Sequence, residues 1–374
     1  MNKWHKLLAS ALATVAFTSS ALAAKNFNAN VLYDQKHPFT NYGYLKWADY
    51  VKQISGGNLN PKVFTGTVLL AANAALKGLR DNVVQVAHHP AIYTPSDLPV
   101  ANAVQELGFN FDNQMATIAA VTEFSMNNPV QLAEWKKAGI VYLGAYATSP
   151  YVLFCRQPVN SLADLKGKRI RTAGSVVAEW VGSIGGNAIN VSSSEMYSGL
   201  DRGSLDCASN SPLDLTARSL WEVAPYTVLV PTGVYWSGPL WGFNKKFWKS
   251  LSEQEKQWFK EASAYSMANI VINYKKEDTA AIDFARSKGK SVIDAPADIM
   301  DSVKKFRESS LKDAYTKAEE RYKIKDAKAT LDDFVATYNK WVDLLKDKNV
   351  DDIEAMKSVF MTEIFDKLPS NYGE

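Results

Sequence analysis

The sequence predicts an α/β protein of two domains that share a cleft. Three observations carry this. Short β-branched and aromatic runs alternate with helical patterns along most of the chain, as expected of domains built on mainly parallel sheets. The 374 residues exceed what a single core commonly organises, so the chain more naturally divides in two. A capped helical pattern between Ser252 and Gly289 runs without Pro or Gly. About 36 residues at ~1.5 Å each make a rod on the order of 54 Å, longer than one domain of this size needs.

Taken in order, the first residues read as an export signal. Lys3 and Lys6 precede the apolar run Leu7 to Phe17, and Ala21-Leu22-Ala23 supplies small residues for cleavage. A transmembrane anchor needs about 20 apolar residues, and this run is roughly half that, so residues 1–23 are expected to be a cleaved signal peptide. Next come the strand "ANVLY", the helix "YLKWADYVKQI" stopped by Gly56 and Gly57, the strand "PKVF", the helix "ALKGLRD" and the strand "NVVQVA". Further strands are expected at "GIVYLGAY", "YVLFC", "KRIRTA", "SLDCAS", "YTVLV" and "LWGFN".

Ser192 with Glu195, and Ser252 with Glu255, occupy the first and fourth positions of capping boxes. In each box the two side chains satisfy each other's free backbone N–H groups, so a helix should start at both. Past Gly289 a short strand "KSVIDA" leads into the amphipathic helices "SVKKFRESSLKDAYTKAEERYK" and "LDDFVATYNKWVDLLKD". Their apolar residues recur at helical spacing, which reads as a solvated face on a packed stripe.

The formal charge is +3, and removing Lys3 and Lys6 takes it to about +1, with both signs mixed along the chain. Nothing here argues for nucleic acid. Cys155 and Cys207 are the two cysteines, too few for a disulfide scaffold. An oxidising compartment permits one bridge, but two buried thiols are the expectation. There is no His-Glu-x-x-His, Cys-x-x-Cys, Gly-x-Ser-x-Gly, phosphate loop or Gly-x-Gly-x-x-Gly. These absences argue against a zinc hydrolase, a serine hydrolase or a nucleotide enzyme, and no catalytic residue, cofactor or metal is expected. A solute binder is the simplest reading; an exported enzyme using His88 or His89 as base is the competing one. Adjacent residues on a strand face opposite ways, so His88 and His89 can hardly chelate one ion together. One of them, taken as His89, is expected to reach the cleft at the end of "NVVQVA", where binding residues of open α/β sheets gather.

The stretch from Asp164 through Tyr226 resembles the solute-binding proteins of tripartite ATP-independent periplasmic (TRAP) transporters. The matching segments are "SLADLKGKRIRTAGS", "GGNAINVSSSEMYSGLDRGSLDCASNSP" and "SLWEVAPY". Weaker likeness extends to "VFTGTVLLAANAALKGLRDNVVQVA" and "LWGFNKKFWKSLSEQEKQWF". The resemblance implies a two-domain periplasmic solute-binding fold with crossing hinge strands and a long helix spanning both domains. It places the crossings near Thr148 and Trp236, with residues 24–148 and 237–276 in the first domain and 149–236 and 277–374 in the second. It also implies a periplasmic monomer that takes a small organic acid and hands it to TRAP permease membrane subunits.

Arg171 matches the arginine that pairs with the ligand carboxylate in that family. The chemistry agrees, since a guanidinium is always charged and offers two parallel donors to a carboxylate. Behind it "TAGS", ending in Ser175, opens the helix "VVAEWVGSI", whose free N–H groups also favour an anion. Departures limit the likeness. Tyr151 stands where sialic-acid-binding members carry a second arginine, and Ser211, beside Asn210 and Pro212, stands where they carry asparagine. "LLAAN" lacks the acidic residue of many members. Aromatic residues replace these groups: Tyr93 in "HHPAIY", and Tyr235, Trp236 and Trp241 in "VYWSGPLW". Of these, Trp236 is the one expected in the cleft. Such a lining suits a monocarboxylate with an apolar or aromatic body, with an amine in an aromatic cage as the competing ligand class.

Overall fold

The computed structural model describes residues 24–374, so the expected signal peptide, residues 1–23, lies outside the described residues. Eleven strands follow in chain order: β1 (Lys25–Val31), β2 (Leu59–Thr65), β3 (Val86–Ala87), β4 (Ile140–Tyr142), β5 (Val152–Cys155), β6 (Arg169–Thr172), β7 (Asn187–Asn190), β8 (Cys207–Asn210), β9 (Tyr226–Leu229), β10 (Gly242–Asn244) and β11 (Ser291–Asp294). They form two sheets, in the orders β2-β1-β3-β10-β4 and β11-β9-β5-β8-β6-β7. β1 pairs in parallel with β2, from Lys25 opposite Leu59 to Val31 opposite Thr65. A parallel return needs a crossover, and the helix Lys46–Ile54 supplies it, burying Trp47 and Val51.

In each sheet one strand runs against the rest, β10 in the first and β5 in the second. These are the strands that the chain enters after passing between the sheets. The two passages run side by side: Leu143 N–H donates to Trp241 at 2.9 Å, Thr148 N–H to Tyr235 at 2.9 Å and Tyr151 N–H to Gly233 at 3.0 Å. Of these bonds, the middle one joins Thr148 to Tyr235, the residue before Trp236.

The helix Glu253–Ser287 is continuous over 35 residues and starts at the expected Ser252–Glu255 capping box. Phe259, Ala262, Met267, Ile270 and Tyr274 pack into the core of the first sheet, while Ala281 and Ala285 join a cluster on the second. The helix Ala297–Glu320 makes the return passage, with Ile299, Val303 and Phe306 in a second-sheet core and Ala314 and Ala318 in the first.

Two expectations need correction. On sequence, residues 277–374 belong to the second domain, but the helices Ala327–Leu345 and Ile353–Glu363 pack on the first-sheet core. The stripe Leu331, Phe334, Tyr338, Trp341 and Leu345 is buried there, with Phe334 edge-on to Phe124 at 5.4 Å. An amphipathic stripe demands a core without saying which one. The cysteines were expected as thiols, yet Cys155 and Cys207 are bonded to each other. The strand pairing explains it. They lie opposite each other on antiparallel β5 and β8, and the neighbouring pair carries the bond from Arg156 N–H to Asp206. That leaves Cys155 and Cys207 at a non-hydrogen-bonded site, where side chains come closest; their Cα atoms are 4.1 Å apart. Among the described residues no helix is long and apolar enough to cross a membrane.

Candidate functional site

Arg171 lies on β6, paired in parallel with β7 and β8. After Thr172 the chain turns through Ala173 and Gly174, whose φ of 84° suits a residue without a Cβ, into the helix Ser175–Ser183. Arg171 is 4% exposed. Its Nε donates to the Val191 carbonyl and its Nη1 to the Ser209 carbonyl, each at 3.1 Å. Among the described residues no carboxylate lies within ion-pair distance of it. A guanidinium has five N–H donors, so the rest are left for the cavity that it lines.

That cavity lies between the two sheets. From the first-sheet side come Tyr33, His37, Phe39, Ile92 and Tyr93. The crossings add Thr148, Tyr151 and Tyr235, and the long helix adds Tyr274. The second sheet supplies Arg171, Asn190, Ser193, Asn210 and Arg218. Burial pushes the hydroxyls of Tyr33, Tyr151, Tyr235 and Tyr274 above the usual tyrosine range, so all four are neutral. Tyr151 and Tyr235 stack, with ring centroids 5.8 Å apart.

Arg218 is a second guanidinium in the wall. Its Nε is 3.2 Å from Asp214 Oδ1, its Nη2 donates to Ser193 Oγ at 3.2 Å, and its Cζ lies 5.6 Å from the Tyr33 ring centroid. Burial raises the Asp214 carboxyl, while Arg218 and Arg171 pull against that rise. Tyr33 stacks in turn on His37, centroids 4.2 Å apart. His37 accepts from the Phe39 N–H through Nδ1 at 3.2 Å. Burial, with Arg218 and His88 nearby, pulls the His37 pKa well below the usual histidine value, so the ring is neutral.

Of the residues singled out on sequence, the fold brings Arg171, Tyr151, Asn210 and Tyr93 to this one cavity. The other four stand elsewhere. Trp236 is 2% exposed and packs on Phe111 and Phe334, at 6.0 and 5.5 Å. In an extended segment neighbours face opposite ways, so Tyr235 faces the cavity and Trp236 the core. His89 pairs its Nε2 with Thr94 Oγ1 at 2.8 Å, and burial lowers its pKa to about 4. Ser211 sits behind Tyr274, accepting from its hydroxyl at 2.8 Å. Ser175 donates to the Glu106 carboxylate and lines an outer cleft that shares Ile92 and Asn190 with the cavity.

Tyr33, His37, Arg218 and Tyr274 also line the cavity and are not among the residues that the sequence singles out. Arg218 and His37 had no local signal, since each reaches the cavity through long-range packing. Tyr33 follows the end of β1 and Tyr274 lies within the long helix, and only the topology reveals that both reach the crossing.

Residues 30–318 match the family described as DctP, bacterial extracellular solute-binding protein, family 7. A solute-binding protein of Albidiferax ferrireducens is 22% identical over 271 residues, which is 72% of this chain and 78% of that one. Among solved structures, a TRAP solute-binding protein from Rhodoferax ferrireducens in complex with copurified benzoate superposes with a TM-score of 0.76 at 18% identity, covering 86% of this chain and 99% of that one. One from Bordetella bronchiseptica with bound (R)- and (S)-mandelate gives 0.73 at 18% identity over 84% and 99%. A marine metagenome protein specific for aromatic acid ligands, crystallised with 3-hydroxybenzoate, gives 0.75 at 18% over 85% and 99%. Two sheets joined by paired crossings and a long shared helix, with a family match over most of the length, lead to one conclusion: this chain belongs to the DctP family of bacterial extracellular solute-binding proteins.

Proposed function

We propose that this protein captures a small monocarboxylate with an aromatic or apolar body in the cavity between its sheets, and delivers it in the periplasm to a TRAP permease. The observation that carries the reading is the buried, unpaired guanidinium of Arg171, held by two backbone carbonyls and facing a cavity lined by tyrosines. A buried charge calls for a counter-charge. A carboxylate supplies it with bidentate geometry, and aromatic walls bury the remaining apolar area. The lining contains two arginines and no Asp or Glu, which disfavours the amine class. The ligands of the similar structures, benzoate, mandelate and 3-hydroxybenzoate, support the same class.

Titration calorimetry with benzoate tests it. Micromolar binding corresponds to about −8 kcal/mol, and leaving one half of a buried charged pair costs roughly 3–5 kcal/mol. Arg171→Ala should therefore weaken benzoate by about a hundredfold or more. Benzylamine binding in place of benzoate, or unchanged benzoate affinity in Arg171→Ala, would overturn the assignment.

A further inference from the structure

The cavity holds a second group of donors that a simple carboxylate leaves unused. Arg218, Tyr33 and His37 stack in series across the gap: the guanidinium lies over the Tyr33 ring at 5.6 Å, and that ring lies on the imidazole at 4.2 Å. Arg218 follows β8 of the second sheet, whereas Tyr33 and His37 follow β1 of the first. The stack therefore forms only where both walls meet.

Hydrogen bonding shows which atoms remain free. His37 Nδ1 accepts from the Phe39 N–H, so the single proton of the neutral ring sits on Nε2. That atom has no hydrogen-bond partner among the described residues, and His37 lines the cavity. Arg218 Nη2 donates to Ser193 and Nε sits at ion-pair distance from Asp214 without a hydrogen bond to it, while Nη1 has no hydrogen-bond partner among the described residues. Charge sharpens the picture further. Asp214 balances Arg218, which leaves Arg171 as the uncompensated charge of the lining. A monoanion completes that balance, and a dianion would bury one negative charge too many.

We propose that Arg218 and His37 form a second polar subsite that holds a neutral acceptor oxygen of the ligand, making the substrate class a hydroxy- or oxo-substituted monocarboxylate rather than an unsubstituted acid or a dicarboxylate. The inference rests on Arg171 being the carboxylate anchor. Arg218 and His37 are then specificity determinants: they add affinity only when the ligand carries the second oxygen, because a buried donor facing an apolar analogue is left without a partner.

The test compares phenylacetate with mandelate, 3-hydroxyphenylacetate, 4-hydroxyphenylacetate, phenylpyruvate and the dicarboxylate phenylsuccinate by titration calorimetry. The readout is the ratio of dissociation constants within each protein, which does not depend on the folded fraction. In wild type the best oxygenated monocarboxylate should bind at least about tenfold tighter than phenylacetate, and phenylsuccinate should be weaker than phenylacetate. The double variant Asp214→Asn/Arg218→Met removes the ion pair as a unit, and the ratio should fall to about one. His37→Asn keeps a side-chain oxygen for the Phe39 N–H but removes the Nε2 donor, and should lower the ratio part of the way. A wild-type ratio near one, or a ratio unchanged in both variants, overturns the subsite. If phenylacetate binds through Arg171 with a ratio of one, the subsite alone fails. If none of the carboxylates binds wild type, the anchor reading fails with it.

Discussion

The two walls of the cavity are built differently. The first-sheet wall is mostly rings, from Tyr33, His37, Phe39 and Tyr93, and the second-sheet wall is mostly polar, from Arg171, Asn190, Ser193, Asn210 and Arg218. Coulombic attraction acts across roughly 8–10 Å of salt solution, whereas apolar burial acts only on contact. Under the proposed function, the polar wall suits first capture of an anion and the ring wall suits burying its apolar body. The walls also differ in reinforcement. β8, next to β6 and its Arg171, is bridged to β5 by Cys155–Cys207, while the ring wall has no covalent link among the described residues.

The largest test of this contrast removes the bridge. Cys155→Ser/Cys207→Ser, which opens a link across 52 residues, should lower stability by about 2–4 kcal/mol, seen as a lower Tm. Wild type in dithiothreitol should match it, and an unchanged Tm would show that the polar wall needs no staple. A second test addresses the seam between the long helix and the polar wall, where Asp278 accepts from the Leu213 N–H at 2.9 Å. Burial raises its pKa from 3.8 to about 7. A folded pKa above the unfolded one means that the contribution is complete below about pH 4 and is lost as pH rises through about 7. Wild type should thus lose about 2 kcal/mol from this group between pH 5 and pH 7.5, and Asp278→Asn should flatten that part of the slope. Glu134, raised by burial to about 7, keeps its own share. Denaturant melts at the two pH values distinguish the cases. The smallest effect concerns the ring wall. Tyr93→Ala should weaken benzoate by about tenfold, or 1.4 kcal/mol, and calorimetry showing no change would remove Tyr93 from the seal.

Features with a local cause were legible in the sequence. Alternation of apolar runs, the Ser252 capping box and the small-residue turn after Arg171 each depend on neighbours along the chain, and the fold contains all three. What failed depends on parity or topology. A shift of one residue in an extended crossing exchanges Tyr235 for Trp236. Cys155 and Cys207 meet only because β5 and β8 are antiparallel at that register. Arg218 follows the four-residue helix Asp214–Ala217, and its place in the wall comes from Asp214, Ser193 and Tyr33, contacts that no local pattern encodes.

The two carbonyls that hold Arg171 have a thermodynamic consequence. A free arginine side chain carries about 2 kcal/mol of rotamer entropy, which ligand binding would ordinarily have to remove. Val191 and Ser209 restrain this one through backbone oxygens, so much of that freedom is lost during folding instead. Because the restraint comes from the main chain, substitutions in the surrounding side chains can reshape the cavity while the Arg171 fork stays in place.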